Sequence, residues 1–435
     1  MATPPAPIRP SRIVLTAIGS LGDIHPSIAI GLGLRARGHD VIVATSACYQ
    51  RKIESLGLAF RAIRPDSDFV TDPLRMRRIM HPRWGTVRVG REILAPTMRQ
   101  TYEDLAAASV GANLLVSHPL VNFEARLVSE KTGIPWASTM ITPLGFLSAY
   151  DFPIIPVAPL ASQAMRLLSP DIAAPLIGLA KRATRFLARP WYELRADIGL
   201  PSTREANPLI DSHSPRLVLA TFSRLFAAFA PDWPPNTINS GFPLFDRDGG
   251  DGLPPALAQF LDAGSPPIVF TLGCSAAMVA DDFFQTSIAA VQRLGRRAVL
   301  IVGRGGQLPT SLPPGVTAHE YAPFSELFPR AAVIVHAGGI GTTGLAMRAG
   351  KPSLVVPFAH DQFDNAARAA RIGLARVLHR SRYTPAPVAA ELRRLLKDRR
   401  YGQRAAHVGT QIRQEDGVRT ACDALERLIS SPSHG

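Results

Sequence analysis

Residues 331–365 read AAVIVHAGGIGTTGLAMRAGKPSLVVPFAHDQFDN. The apolar run AAVIV, ending at His336, predicts a buried strand. Gly338, Gly339, Ile340 and Gly341 predict a tight turn, and Thr342-Thr343 opens a helix through Arg348 that Gly350 and Pro352 stop. SLVVPF is then a second buried strand. This order leaves backbone N–H groups without partners at a helix N-terminus, where the dipole favours an anion such as a pyrophosphate. The loop His360-Asp361-Gln362 leaves the C-terminal end of the next strand, the ligand edge of an open α/β sheet. A phosphate cradle beside an Asp-Gln pair that can bind hydroxyls fits a nucleotide-sugar site.

The same alternation extends outward. RIVLTAIG opens the first half, followed by a Gly-Asp loop, a helix through Arg37 and a strand at Val41 to Ala44. Further strand signals are NLLVS (113–117) and PWASTM (135–140). The pattern restarts at Ile268, with AVLIV (298–302) before the opening segment. Alternating β and α predicts an α/β protein of two Rossmann-like, doubly wound parallel-sheet domains facing one another across a cleft. The Pro-, Gly- and Asp-rich stretch at 231–255 is the expected linker. It separates a first domain at 1–230 from a second at 256–402, and the helical stretch at 403–435 follows.

Bulk properties narrow the class. At 435 residues the chain is long enough for two or three cores. Cys48, Cys274 and Cys422 are too widely spaced for a metal-ligand pattern and suit a reducing compartment. The N-terminus, MATPPAPIRPSR, lacks a secretory h-region, and no unbroken apolar run is long enough to span a membrane. The expected location is therefore cytoplasmic, with peripheral contact at the inner face of the membrane as an option. The formal charge of +14 comes mainly from arginine. No basic run interleaved with aromatics is present, so nucleic acid is not an expected partner. A GC-rich coding bias and attraction to anionic lipid or an anionic donor both account for the charge.

Four blocks in order carry a family resemblance: Gly19-Ser20-Leu21-Gly22-Asp23-Ile24-His25-Pro26, GFPLFD at 241–246, the strand from Ile268 into Gly273-Cys274-Ser275, and the opening segment with its Gly-Gly-x-Gly-Thr turn and Asp-Gln-x-x-Asn. Together they resemble the GT-B glycosyltransferases of the UDP-glycosyltransferase superfamily over residues 12–430. Within that superfamily the blocks are most similar to the rhamnosyltransferase catalytic subunits of rhamnolipid synthesis. The resemblance implies an inverting glycosyltransferase that takes a nucleotide diphosphate sugar as co-substrate, with no further cofactor and no metal, and a C-terminal helix at 403–435 that crosses back to the first domain. Asp66-Ser67-Asp68 and Asp246-Arg247-Asp248 imitate a metal-binding D-x-D, but both lie in turn-rich segments outside the cradle.

On this resemblance Asp23 is the catalytic base, its alternative role being a helix N-cap. His25 and His118 are acceptor-side candidates, although a surface histidine at a helix start describes His25 equally well. Donor contacts fall to Gly22, Gly273, Cys274, Ser275, Tyr321, Ala322, His336, Gly338, Gly339, Ile340, Gly341, Thr342, Asp361 and Gln362. Asn365 would brace the sugar loop, and Tyr321 is either a base-stacking ring or a core tyrosine. Two positions depart from many relatives. Ala337 stands where a phosphate-contacting His is usual, leaving His336 as a residue that supports the loop. Leu345 stands where plant relatives carry a Glu for the ribose hydroxyls, which is compatible with a deoxythymidine diphosphate sugar.

Two segments interrupt the winding. Residues 74–101 contain seven arginines among apolar residues, and 141–190 is apolar but broken by prolines. Inserts of this kind commonly form the acceptor pocket in the family. An apolar insert suits a hydrophobic, lipid-like hydroxylated acceptor, and arginines beside apolar residues suit an anionic membrane surface; ordinary helix packing with solvated arginines is the other reading. The favoured reaction is transfer from dTDP-L-rhamnose to a hydroxy-fatty-acid acceptor. The alternatives are UDP-glucose transfer to a sterol, terpenoid or polyketide, a nucleotide-sugar 2-epimerase, and a non-catalytic activator of a transferase.

Overall fold

The apolar runs become the central strands of two separate sheets in the computed structural model, which describes residues 10–66, 72–204, 207–246, 252–309 and 311–431. The first sheet contains β1 (Arg12–Thr16), β2 (Asp40–Thr45), β3 (Ala59–Ala62), β4 (Leu114–Ser117), β5 (Trp136–Met140), β6 (Val218–Ala220) and β7 (Thr237–Asn239) in the order 3-2-1-4-5-6-7. The second contains β8 (Ile268–Thr271), β9 (Ala298–Ile301), β10 (Val316–His319), β11 (Val333–His336), β12 (Ser353–Val355) and β13 (Ala375–Val377) in the order 10-9-8-11-12-13. The pairings are parallel throughout both sheets. Each order reverses beside its first strand, β1 or β8, and that switch point opens the ligand crevice at the carboxyl edge of a doubly wound sheet.

Helices carry the chain over these sheets. Those that position the site are α1 (Leu21–Ala36), α2 (Pro159–Met165), α3 (Pro170–Ala183), α4 (Ile340–Ala349), α5 (Gln362–Arg371), α6 (Arg399–Ile412) and α7 (Gly417–Ser430). β1 is buried along all but its first residue, and β4, β5, β8, β9, β11 and β12 along their whole length, as strands covered by helices on both faces must be.

Two expected boundaries move. β7 joins the first sheet beyond residue 230, so that domain takes in the start of the expected linker, and the chain crosses only after Asn239. A three-residue, half-buried edge strand carries too little apolar pattern to announce itself. The expected break at 402 falls inside α6, which buries Ala405, Val408 and Ile412 with Ile340 and Met347 of α4 and so belongs to the second domain. The helix that returns to the first domain is α7. It buries Ala421, Cys422 and Leu425 with Ile24, Ile28 and Leu34 of α1, and Arg37 binds its Asp423 (2.7 Å) and Glu426 (2.6 Å). Burial of Leu425 alone contributes about 1.5–3 kcal/mol to this attachment. The two crossings touch at Gly417, where an added Cβ would lie 2.5 Å from the carbonyl of Phe242. No described helix is long and apolar enough to cross a membrane.

Candidate active site

The glycine turn after β11 forms as its sequence dictates. Gly338 adopts φ +91°, and a Cβ there would lie 2.8 Å from Val355 Cγ1, so the turn both needs and accommodates glycine. Gly339 is the N-cap of α4 and offers no side-chain cap. The N–H groups of Ile340, Gly341 and Thr342 therefore open the helix without intrahelical partners, at the positive end of its dipole. Gly338 is different. Its N–H donates to His336 Nδ1 at 3.1 Å, so it supports the turn and is not free for a phosphate. His336 is buried beneath the loop, and desolvation pushes it down to about 4, which keeps it neutral. It is thus the loop's support, as its displaced position in the motif allows.

The sugar loop follows β12. Gln362 Oε1 accepts from the N–H groups of Phe358 (2.8 Å) and Ala359 (3.1 Å), which leaves its amide NH2 as the group able to reach a ligand. Asn365 Nδ2 donates to Gly338 O (2.9 Å) and Asp361 Oδ2 (2.7 Å), tying this loop to the glycine turn. His360 holds φ +57°, uncommon for a non-glycine residue, just before Asp361. The turn at Gly273, Cys274 and Ser275 lies against the same cradle. A Cβ on Gly273 would sit 3.7 Å from Thr342 Oγ1, and Cys274 is exposed. At the base-recognition turn, the Tyr321 hydroxyl donates to the Asp246 carbonyl, and Arg304 lies over the ring at 4.8 Å. Ala322 is buried beside Leu345, which faces the core together with Leu327 and Phe328.

The first domain contributes the loop between β1 and α1. Ser20 and Asp23 form a capping box: Ser20 N–H and Oγ–H donate to Asp23 Oδ2 at 2.7 and 3.1 Å, and Gly22 N–H donates to Ser20 Oγ at 3.3 Å. Asp23 therefore caps the helix through one oxygen, and Gly22 spends its N–H on the cap. Desolvation nevertheless raises Asp23 to about 6, against the pull of the Ser20 bonds. Tyr49 donates to Gly19 O at 2.9 Å and backs this loop. His25 lies edge-on against Phe245 at 5.4 Å, within the crossing segment. His118, at the end of β4, donates from Nδ1 to Thr139 O (2.9 Å), so its lone pair is on Nε2. Burial drives it down to about 4, with the Thr139 bond opposing and His213 assisting.

Asp361, far from Asp23 in sequence, lies within reach of its charge across the cleft. Desolvation raises Asp361 to about 7, the Asn365 bond draws it back, and the charge of Asp23 adds to the rise. Tyr49 likewise senses both Asp23 and Cys274 of the opposite domain. The cleft is laced further out by contacts that no sequence motif announces. Thr86 Oγ1 meets His360 Nδ1 at 3.0 Å, and Thr142 Oγ1 donates to Asn365 Oδ1 at 3.3 Å. Ile154 N–H donates to Asp364 Oδ1 at 2.9 Å. Arg368, buried on α5, pairs with Asp364 at 2.6 Å and with Asp151 of the first domain, which also binds Arg371 at 2.7 Å. The loop after β12 and the helix that follows it are thus held directly by the first domain.

Asp68 and Asp248 of the two D-x-D look-alikes lie outside the described residues. Residues 13–139 match the glycosyltransferase family 28 N-terminal domain, and residues 287–419 match the C-terminal domain of erythromycin biosynthesis protein CIII-like proteins. The chain is 31% identical over 431 residues to the O-mycaminosyltylonolide 6-deoxyallosyltransferase of Streptomyces fradiae, covering 95% of this chain and 97% of that one. It is 26% identical over 443 residues to the sterol 3-beta-glucosyltransferase of Candida albicans, covering 96% of this chain and 28% of that longer protein. The structure of the glycotransferase of kitacinnamycin superposes with a TM-score of 0.72 at 22% identity, covering 97% of this chain and 99% of that one.

Proposed function

The chain belongs to the GT-B glycosyltransferases, with a family 28 N-terminal half and an erythromycin-CIII-like C-terminal half, and from that premise we propose an inverting, metal-independent transfer of a 6-deoxyhexose to a hydrophobic acceptor. The favoured donor is dTDP-L-rhamnose and the favoured acceptor a lipid-like hydroxyl compound such as a hydroxy fatty acid. What carries this reading is the buried Asp23 carboxyl on the loop after β1, whose charge reaches Asp361 on the loop after β12. Asp23 takes the proton of the acceptor hydroxyl as its oxygen bonds to the anomeric carbon. The bond from that carbon to the diphosphate breaks on the opposite side, and the departing charge falls on the N–H groups of Ile340, Gly341 and Thr342 and the Thr342 hydroxyl. Fixed donors at a helix N-terminus stabilise such a charge without reorganising, typically the largest single contribution to catalysis.

Asp361 and the Gln362 amide orient the sugar hydroxyls, while His336 and Asn365 hold the loops that present them. His118 Nε2 offers the acceptor a neutral hydrogen-bond acceptor. Burial of Leu345 in the core leaves no carboxylate at the position that would grip a ribose, which supports a deoxyribonucleotide. The deoxyallosyl specificity in the name of the Streptomyces relative supports a 6-deoxy sugar. The sterol-transferring relative favours a second reading, UDP-glucose onto a sterol.

Titration calorimetry with dTDP, UDP, dTDP-rhamnose and UDP-glucose, followed by product analysis with a hydroxy fatty acid, tests the assignment. Tighter binding of dTDP than of UDP, with rhamnosyl product, is expected. Preference for UDP would turn the reading to the sterol alternative, and failure to bind any of the four would sink both.

A further inference from the structure

We propose that the outer face of the hairpin made by α2, α3 and the turn after them, residues 159–187, docks the enzyme onto an anionic bilayer. Large apolar side chains are concentrated there: Leu160 is 79% exposed, Leu167 87% and Phe186 72%, with Leu187 exposed beside them. On α3, Ile172, Leu176 and Leu179 recur at i, i+4 and i+7, so they form one stripe, and all three are exposed, while Ala173 and Ile177 hold the helix to the protein. A helix that buries one stripe and presents a second apolar stripe to solvent has a face that the described residues leave uncovered.

Charge selects the occupant. Residues 158–190 contain five basic side chains, Arg166, Lys181, Arg182, Arg185 and Arg189, against one acidic, Asp171. Lys181 and Arg189 pair with Asp211 and Glu193, but Arg182 and Arg185 have no salt bridge among the described residues and flank the exposed Phe186. Apolar tips sinking below a phosphate plane while arginines remain at its level match an interfacial helix on anionic lipid.

In the arginine-rich segment at 74–101, the other place where sequence allowed a membrane contact, three exposed arginines are paired with acidic residues. Arg77 binds Asp281 across the cleft, Arg78 binds Glu92, and Arg99 binds Asp197. The hairpin also stands where a bilayer would be useful. It begins directly after Asp151 and Ile154, which hold α5 and the sugar loop, so an acceptor leaving the membrane there would enter beside the donor.

Flotation of the full chain without substrates tests the docking face independently of which sugar is moved. The probes are vesicles of phosphatidylcholine alone and of phosphatidylcholine with phosphatidylglycerol in equal parts. Wild type should partition about ten-fold more strongly onto the anionic vesicles at low salt, and high salt should close most of that gap. The triple variant L167E/L179E/F186E, altered only at exposed positions, should lose about ten-fold of this binding while keeping the wild-type melting temperature and dTDP affinity. Failure of wild type to float with either vesicle would overturn the proposal, as would undiminished binding by the variant. A wild-type dimer that ignores vesicles and becomes monomeric in the variant would overturn it in favour of self-association.

Discussion

The donor half and the acceptor half of this cleft are built differently. The donor cradle comes from one run of 35 residues, and its ligand-facing groups are largely backbone: the start of α4, fixed by glycines and braced by His336 and Asn365. The acceptor half is assembled from side chains on separate loops, namely Asp23 after β1, His118 after β4 and an insert carrying Asp151. A backbone cradle reads any diphosphate through its geometry. A side-chain wall sets which acceptor enters, and it can be rebuilt one loop at a time.

The largest effect should come from the chemical group on the acceptor side. Asp23→Asn keeps a capping oxygen for the Ser20 N–H, so α1 should still form. It removes the base, and turnover should fall about 10²–10⁴-fold while dTDP affinity remains near wild type. Stopped-time product assays beside calorimetry would measure both. Near-normal turnover would move the base elsewhere, His118 being the next candidate.

The complementary change on the donor side is Gly338→Ala. It adds a Cβ against Val355 at a positive φ, a strain of about 1–3 kcal/mol concentrated in the turn that sets the N-terminus of α4. Calorimetry should show dTDP binding weakened by about ten-fold or more, with any residual turnover recovered at saturating donor. If kcat collapsed while donor affinity held, the cradle would be acting in chemistry rather than in binding, and the division between the halves would fail.

Asp151→Asn tests whether the halves hold one another. It leaves Arg368 buried with Asp364 alone and removes the Arg371 pair, a loss of about 1–3 kcal/mol. Thermal unfolding should shift down, and the KM for the donor sugar should rise more than the Kd for dTDP, because Asp151 reaches the sugar loop and not the glycine turn. Equal changes in both would mean that the ion cluster stabilises the domain without guiding the loop.

This contrast also explains what the sequence disclosed. The cradle, its helix and its flanking strands lie in one stretch, so periodicity and glycine punctuation locate them, and Asp23 is visible through its loop motif. The edge strands β3, β7, β10 and β13 escaped because short, half-exposed strands lack a continuous apolar run. The N–H commitments of Gly22 and Gly338 depend on side-chain rotamers that spacing does not encode. The Asp151–Arg368 pair joins residues from two domains, so only the folded chain makes it adjacent. Among the arginines at 74–101, Arg77 finds a partner in the opposite domain only because the fold brings Asp281 to it.

The smallest expected effect is on pH dependence, and it asks whether the two halves communicate through charge. Burial raises both Asp23, to about 6, and Asp361, to about 7, above the ordinary aspartate value, so each is favoured in its protonated form. Their contribution to folding stability is therefore greatest below that ordinary value and is lost as pH rises through the raised values. Catalysis runs the other way, because the base must be ionised: kcat/KM should climb with pH through an acid limb near 6. The charge of Asp23 adds to the rise at Asp361, whereas Asp361, raised to about 7, is still mostly protonated and uncharged when Asp23 ionises near 6. Replacing Asp361 with Asn should therefore leave the acid limb near 6. The same variant should gain stability over wild type at pH 8, where wild type must bury two charges. A limb that moved to lower pH in Asp361→Asn, measured as kcat/KM for the free enzyme, would mean that Asp361 already carries its charge when Asp23 ionises. The donor half would then set the strength of the base opposite as well as supply a cradle.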